Sequence, residues 1–121
     1  MKPTIYIAGP MRGLPDFNRA AFNAAAERLA AKGWQPVNPV DIERILPCVD
    51  NDEVSENNLR KLLEIECEIV KRVDAIYLLN EWWRSEGAKR ELGTYLLRDV
   101  RYIHLEENGT PEPKLWMPWE L

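Results

Sequence analysis

Residues 4–10, Thr4-Ile5-Tyr6-Ile7-Ala8-Gly9-Pro10, are the stretch on which the fold turns. A short run of β-branched and aromatic residues cut off by Gly-Pro predicts a buried strand that meets a tight turn. The loop Pro10–Asp16 follows, with Gly13 and Pro15 inside it, and Asp16 and Asn18 are candidate caps for a helix. From there to Lys32, Phe22, Ala26, Leu29 and Ala30 recur at helical spacing, and Gly33 supplies the stop. Gln35-Pro36-Val37-Asn38 reads as a second strand closed by Pro39. Strand, helix, strand in so short a span is a βαβ unit, and it implies a parallel sheet.

The rest of the chain continues the alternation. Residues Asp41–Leu46 are expected to form one or two helical turns, and the acidic stretch Cys48–Glu56 a surface loop. A long helix is predicted from Ser55 or Glu56 to about Val73, a buried strand at Ala75–Leu79, a helix at Glu86–Arg98 and a last strand at Arg101–Leu105. The Pro-rich tail Thr110–Leu121 shows no regular pattern, and its Trp116 and Trp119 are expected to cover an exposed patch or a neighbouring subunit. The expected fold is α/β: one domain over residues 1–121, Rossmann-like or flavodoxin-like, an open parallel sheet with helices on both faces. Ligands of such sheets bind beyond the carboxyl ends of the strands, which directs attention to Gly9–Gly13, Asn38–Asp41 and Asn80–Glu91.

Bulk properties narrow the function classes. The chain has 121 residues, 45% hydrophobic and 30% charged, room for one core. Its 16 Lys and Arg against 20 Asp and Glu give a net charge of −4, which argues against a grip on polymeric nucleic acid but not against one small phosphorylated ligand. With His104 as the sole histidine, a multi-histidine metal site is impossible, and the residue reads as structural. Cys48 and Cys67 form no metal-binding or redox spacing. They read as reduced thiols of a cytoplasmic protein, a disulfide between them being the other reading. No segment approaches the ~20 apolar residues of a membrane span, and Ile5–Ala8 is too short for the apolar region of a signal peptide. No metal or organic cofactor is expected.

Two carboxylates break the helical patterns. In the long helix the apolar stripe Leu59, Leu62, Leu63, Val70, Val73 passes through Glu66, unless the stripe is centred on Leu62, Ile65 and Ile69 with Glu66 at its polar edge. In the next helix Ala88, Leu92, Tyr95 and Leu96 define the buried face, and Glu91 belongs to it. Lying in the first two turns, Glu91 is expected to be held at a low pKa by the helix dipole, as suits a nucleophile. The alternative is a buried Glu paired with Arg12 or Lys89. Ser85-Glu86-Gly87-Ala88 opens the same helix with small residues whose amides can meet an anion, and Arg12 can add a charged fork. Trp82, after a core strand, is a candidate for stacking on a base or for packing.

Taken together, Ile5 to Gly13, Pro15-Asp16-Phe17-Asn18, Val37-Asn38-Pro39, Asp74 to Leu79 and Trp82…Ser85-x-Gly87-Ala88-x-x-Glu91 resemble a family of small phage- and bacterium-associated proteins described as nucleoside 2-deoxyribosyltransferase-like. The resemblance runs from about Ile5 to Tyr95. It implies a Glu nucleophile at Glu91 that attacks the anomeric carbon, and at Glu66 a carboxylate that orients base or sugar, where close relatives carry Asp. Ser85, six residues before Glu91, with Gly87 and Arg12, matches the branch that hydrolyses nucleoside 5′-monophosphates, whereas nucleoside transferases tend to have Asp at that position. Tyr6 falls where these enzymes carry an aromatic residue near the sugar. Gly9, Met11, Gly13, Asn38 and Ala88 complete the binding set that the resemblance implies. It also implies a homodimer or larger homo-oligomer. The function expected is N-glycosidic cleavage of a nucleotide. The alternatives are base exchange between nucleosides and binding of a nucleotide without turnover.

Overall fold

A computed structural model describes residues 2–44, 56–98, 102–106 and 113–116. Strand β1 (Thr4–Ala8) leads through a loop into helix α1 (Arg19–Ala31), strand β2 (Gln35–Val37) and the short helix α2 (Pro39–Arg44). Helix α3 (Glu56–Val70) precedes strand β3 (Ala75–Leu78), helix α4 (Glu86–Tyr95), strand β4 (Ile103–Glu106) and strand β5 (Pro113–Trp116). The sheet order is β2-β1-β3-β4-β5, the first four strands parallel and β5 antiparallel to β4. This is the flavodoxin-like order, with the chain reversing its direction of winding between β1 and β3.

The predicted α/β architecture is therefore observed, and the corrections are local. The tail expected to be irregular contributes β5, whose backbone pairs Ile103 with Trp116 and Glu106 with Pro113. Of the expected loop Cys48–Glu56, Glu56 instead opens α3, and residues 48–55, Cys48 among them, lie outside the described residues, as do Trp119 and the side chain of Trp116. Cys67 is a free thiol. No helix among the described residues is long and apolar enough to cross a membrane.

Period-two alternation along β1 and β3 divides the core. Ile5, Ile7, Ala75, Tyr77 and Leu79 face α1, where Phe22, Ala25 and Leu29 are buried against them. Tyr6, Ala8, Ile76 and Leu78 face the opposite layer of Val70, Val73, Ala88 and Tyr95 from the α3 and α4 segments. Tyr95 ties that layer to the sheet by donating to the Asp74 carbonyl at 2.6 Å and accepting from the Tyr102 amide at 2.9 Å.

Helix ends account for several boundaries. Gly33, at φ +100°, ends α1 as expected. The expected caps at its start do not form: Asp16, Phe17 and Asn18 all lie in the left-handed region, and neither Asp16 nor Asn18 caps α1 through its side chain. The Asn18 amide instead donates to the Pro10 carbonyl at 2.9 Å, which closes the loop on itself, and Asp16 pairs with Arg19.

Candidate functional site

The carboxyl ends of β1 and β3 define a crevice at the switch in winding. Gly9 sits at its root because the strand ends approach so closely there: a β-carbon on Gly9 would fall 2.7 Å from Cβ of Leu79. Beyond this contact opens a cavity of about 430 Å³, within the range of small-molecule sites. Gly9, Pro10, Met11 and Arg12 line it from the β1 loop, Leu62, Leu63 and Glu66 from α3, and Arg84 to Ala88 with Glu91 from the start of α4. Phe22, Pro39 and Glu43 complete the wall.

Glu66 and Glu91 are buried to 7% and 5% exposure, so the inward-facing stripe is the correct one; Ile65, on the alternative stripe, is 42% exposed. Tyr6 lies beneath them, wholly buried, and its hydroxyl contacts Glu66 Oε2 at 2.6 Å and Glu91 Oε2. A phenol has one proton to donate. It donates to one carboxylate, and the second contact is satisfied when the other carboxyl carries a proton and donates to the phenol oxygen. The two carboxyls also hydrogen-bond each other, and the trio thus holds one shared carboxyl proton.

Electrostatics agrees with that count. Burial pushes Glu66 up to about 7 from the ordinary value of 4.5, the Tyr6 bond opposing the shift. Burial also raises Glu91 well above the ordinary carboxylate range, with Glu66 beside it as the next cause. Tyr6 is raised by burial and by the two carboxylates. The expectation that the helix dipole keeps Glu91 acidic fails for a geometric reason. Glu91 is the sixth residue of α4, beyond the first turn where the dipole acts, and burial dominates there. Nor does Glu91 pair with Arg12 or Lys89: Arg12 bonds Glu43, and Lys89 bonds Glu86 at 2.8 Å.

Ser85 caps α4, its Oγ accepting from the Ala88 amide at 3.1 Å. By helix geometry the amides of Glu86 and Gly87 stand free of helical acceptors at the cavity wall. Gly87 has no packing need for glycine, since a β-carbon there would meet only Ser85 Oγ at 3.7 Å and Leu63 Cδ1 at 3.9 Å. Glu86, the acidic residue in this turn, is exposed and engaged with Lys89.

Other candidates stand apart from the cavity. Asn38 caps α2 by accepting from the Val40 amide at 3.1 Å and donates to Asn23 at 2.9 Å; it is a helix cap, and it does not line the cavity. Gly13, at φ +82°, shapes the β1 loop, also off the cavity wall. Trp82 packs against the α3–α4 core and meets the Trp83 ring edge-on, so it supplies no stacking surface to the cavity. Tyr6 serves the site from below the cavity. Sequence reasoning missed Glu43, Phe22 and the leucines of α3 as cavity residues, while Arg84 fell within the flagged stretch Asn80–Glu91 without being singled out. Glu43 had a usable signal, because α2 begins directly after β2 at the ligand edge. Among the described residues no cluster of three or more His, Cys, Asp or Glu is arranged to hold a metal ion.

Strand order, a crevice at the switch point and a pair of buried acids on one phenol define an open α/β domain with a carboxylate-lined cavity. By sequence the chain belongs to the DUF4406 family, a domain of unknown function, whose model matches residues 3–101 and so includes every residue of the pocket. No curated protein matches the chain.

Proposed function

We propose that the pocket breaks the N-glycosidic bond of a nucleoside 5′-monophosphate. The observation that carries this reading is the pair of buried carboxylates, Glu66 and Glu91, bridged by Tyr6 at the wall of a cavity that also receives the start of α4. Two ordinary hydrogen bonds to one oxygen keep the carboxylate oxygens within about 6 Å. That bound is shorter than the roughly 6.5–9.5 Å that an inverting enzyme needs for its water, and it suits displacement in which one carboxylate is the nucleophile.

The chemistry follows from the single shared proton. The Glu91 carboxylate attacks the anomeric carbon, a C–O bond forms, and the C–N bond breaks with its electron pair leaving on the base. The shared carboxyl proton, which burial and Glu66 favour on Glu91 at rest, passes through Tyr6 to Glu66 as the nucleophile is freed, and from Glu66 to the departing base. Water then attacks the glycosyl ester, Glu91 leaves as carboxylate, and the proton of the water returns to Glu66. The amides of Glu86 and Gly87, the Ser85 hydroxyl and Arg12 hold the phosphate and position the sugar. Copies of the chain are proposed to assemble through apolar side chains such as Leu97, which is 85% exposed.

A second reading, base exchange between nucleosides, is favoured by the Arg12–Glu43 pair, which neutralises the cation that a phosphate would use. One assay separates the readings. Ribo- and deoxyribonucleoside monophosphates and the matching nucleosides are incubated with wild type and Glu91→Ala, and free base is followed by chromatography. Base released from monophosphates by wild type alone is the expected result. Exchange seen only when a second base is added to nucleosides would replace it with transfer. Binding without any released base would replace catalysis with sequestration.

A further inference from the structure

Glycosidic cleavage by Glu91 and Glu66, with Arg12 on the phosphate, gives no role to Glu43, which holds that arginine in an ion pair at the cavity wall. Arg12 Nη2 lies 2.5 Å from Glu43 Oε1, and the guanidinium also stands over the Phe17 ring, 5.3 Å from its centroid. Phe17 is held there by a backbone that L-residues rarely adopt, three successive residues at φ 50°, 54° and 59°. Arg12 is thus gripped from two sides at the cavity. Glu43 is the more buried partner, its side chain 12% exposed against 35% for Arg12. Burial raises Glu43 despite the arginine, and its charge in turn raises both Glu66 and Glu91. The pocket therefore already holds a carboxylate on the cation that a phosphate group needs.

We propose that Glu43 is a specificity-determining residue: it competes internally for Arg12, so that a free phosphate ion is kept out and a phosphate enters only on a ligand whose base and sugar contacts help displace the carboxylate. This rests on the reading of the pocket as a nucleotide site. Glu43 lies on α2, an element separate from those that carry the reacting carboxylates. Neutralising it keeps Glu66, Glu91 and Tyr6 and relieves the upward pull of its charge on the two carboxyls, so its part in selecting the ligand's charged end is read from binding and not from turnover.

The test is calorimetric titration of wild type, Glu43→Gln, Glu43→Ala and the double variant Arg12→Gln/Glu43→Gln. The probes are inorganic phosphate, the nucleoside monophosphates and the matching nucleosides, with thermal melting as the check on folding. Expected are a gain of about tenfold or more in phosphate and monophosphate affinity for Glu43→Gln, unchanged nucleoside affinity, and loss of the gain in the double variant. Equal or weaker phosphate binding by both folded single variants would overturn the proposal, because Glu43 would then be presenting Arg12 rather than competing for it. The two readings fail separately. If wild type cleaves monophosphates and Glu43→Gln gains no affinity, only the role of Glu43 falls. If Glu43→Gln gains phosphate binding while no variant binds or cleaves a monophosphate, the competition of Glu43 for Arg12 stands, and the nucleotide reading falls together with the selection by base and sugar.

Discussion

The two faces of the sheet each bury a tyrosine from a central strand, and they treat its hydroxyl in opposite ways. On the α1 side, Tyr77 of β3 accepts from Arg28 at 3.4 Å, and the same guanidinium bonds Glu106 at 2.9 Å. One cation, one anion and one phenol close the charge count. On the α3–α4 side, Tyr6 of β1 meets two carboxylates, and among the described residues no cation hydrogen-bonds to either. Burying like charges without a counter-ion costs stability, and the protein meets that cost by retaining a proton. The balanced cluster needs no explanation beyond packing. The unbalanced one is where function is to be sought, because strongly displaced carboxyl pKa values in a cleft suit acid–base and nucleophilic work.

The sharpest way to break this contrast is to neutralise one acid on each face. Glu91→Gln is expected to lower base release by about 10³-fold or more, as loss of a nucleophile does, while leaving the melting temperature at pH 8 equal or higher because a like-charge contact is gone. Glu106→Gln should leave turnover within about twofold. A variant at Glu91 that keeps activity would end the assignment of the nucleophile.

Next in size is the dependence of stability on pH. A carboxyl raised in the folded state favours folding fully below its unfolded value and loses that contribution as pH climbs through the folded value. For Glu66 the window runs from 4.5 to about 7. Across it, wild type should lose up to about 3 kcal/mol relative to Glu66→Gln, measured by denaturant unfolding at stepped pH. Parallel curves for the two proteins would mean that the shared proton is absent.

The balanced face should respond less, and without reference to catalysis. Glu106→Ala leaves the Arg28 cation, 29% exposed, with Tyr77 as its remaining side-chain partner, and is expected to cost about 1–2 kcal/mol in chemical denaturation. No change in stability would show that Arg28 reaches solvent as readily as it reaches Glu106.

What the sequence disclosed tracks how local each determinant is. β1, α1 and β2 were legible because the Ile5–Ala8 run, the Gly33 stop and the parallel βαβ spacing are decided within a few residues. Glu66 and Glu91 were legible because a charge on an apolar helical stripe is an anomaly that periodicity exposes. The partnership of Tyr6 with both was not, since its contacts are 60 and 85 residues away in sequence. The same holds for Glu43, which meets Arg12 only once β2 has been laid beside β1. Asn38 stands out in the sequence for a duty other than the one expected, because capping α2 is a backbone role that looks, residue by residue, like a ligand contact. Gly9 does line the cavity, yet what demands glycine there is the approach of Leu79. The strand β5 was hidden because it borrows its pairing from β4, and nothing in its own proline-rich stretch alternates.

The smallest effect is the most discriminating, a pair of isosteric deletions. Tyr6→Phe and Tyr77→Phe each remove one buried hydroxyl and keep the ring, so each should cost on the order of 1 kcal/mol of stability, Tyr6 the more because two buried carboxyls lose a partner. Beyond that they should part. Tyr77 serves a closed ion pair, and its loss should leave kcat and its pH profile unchanged. Tyr6 carries the proton between the two carboxyls, so its loss should lower kcat by roughly tenfold to a hundredfold. It should also shift the alkaline limb of the profile, near 7 in wild type if Glu66 must hold its proton to deliver it to the base. A profile unmoved in Tyr6→Phe, with kcat reduced to the same degree as in Tyr77→Phe, would reduce Tyr6 to a packing residue and leave the two carboxylates to share their proton directly.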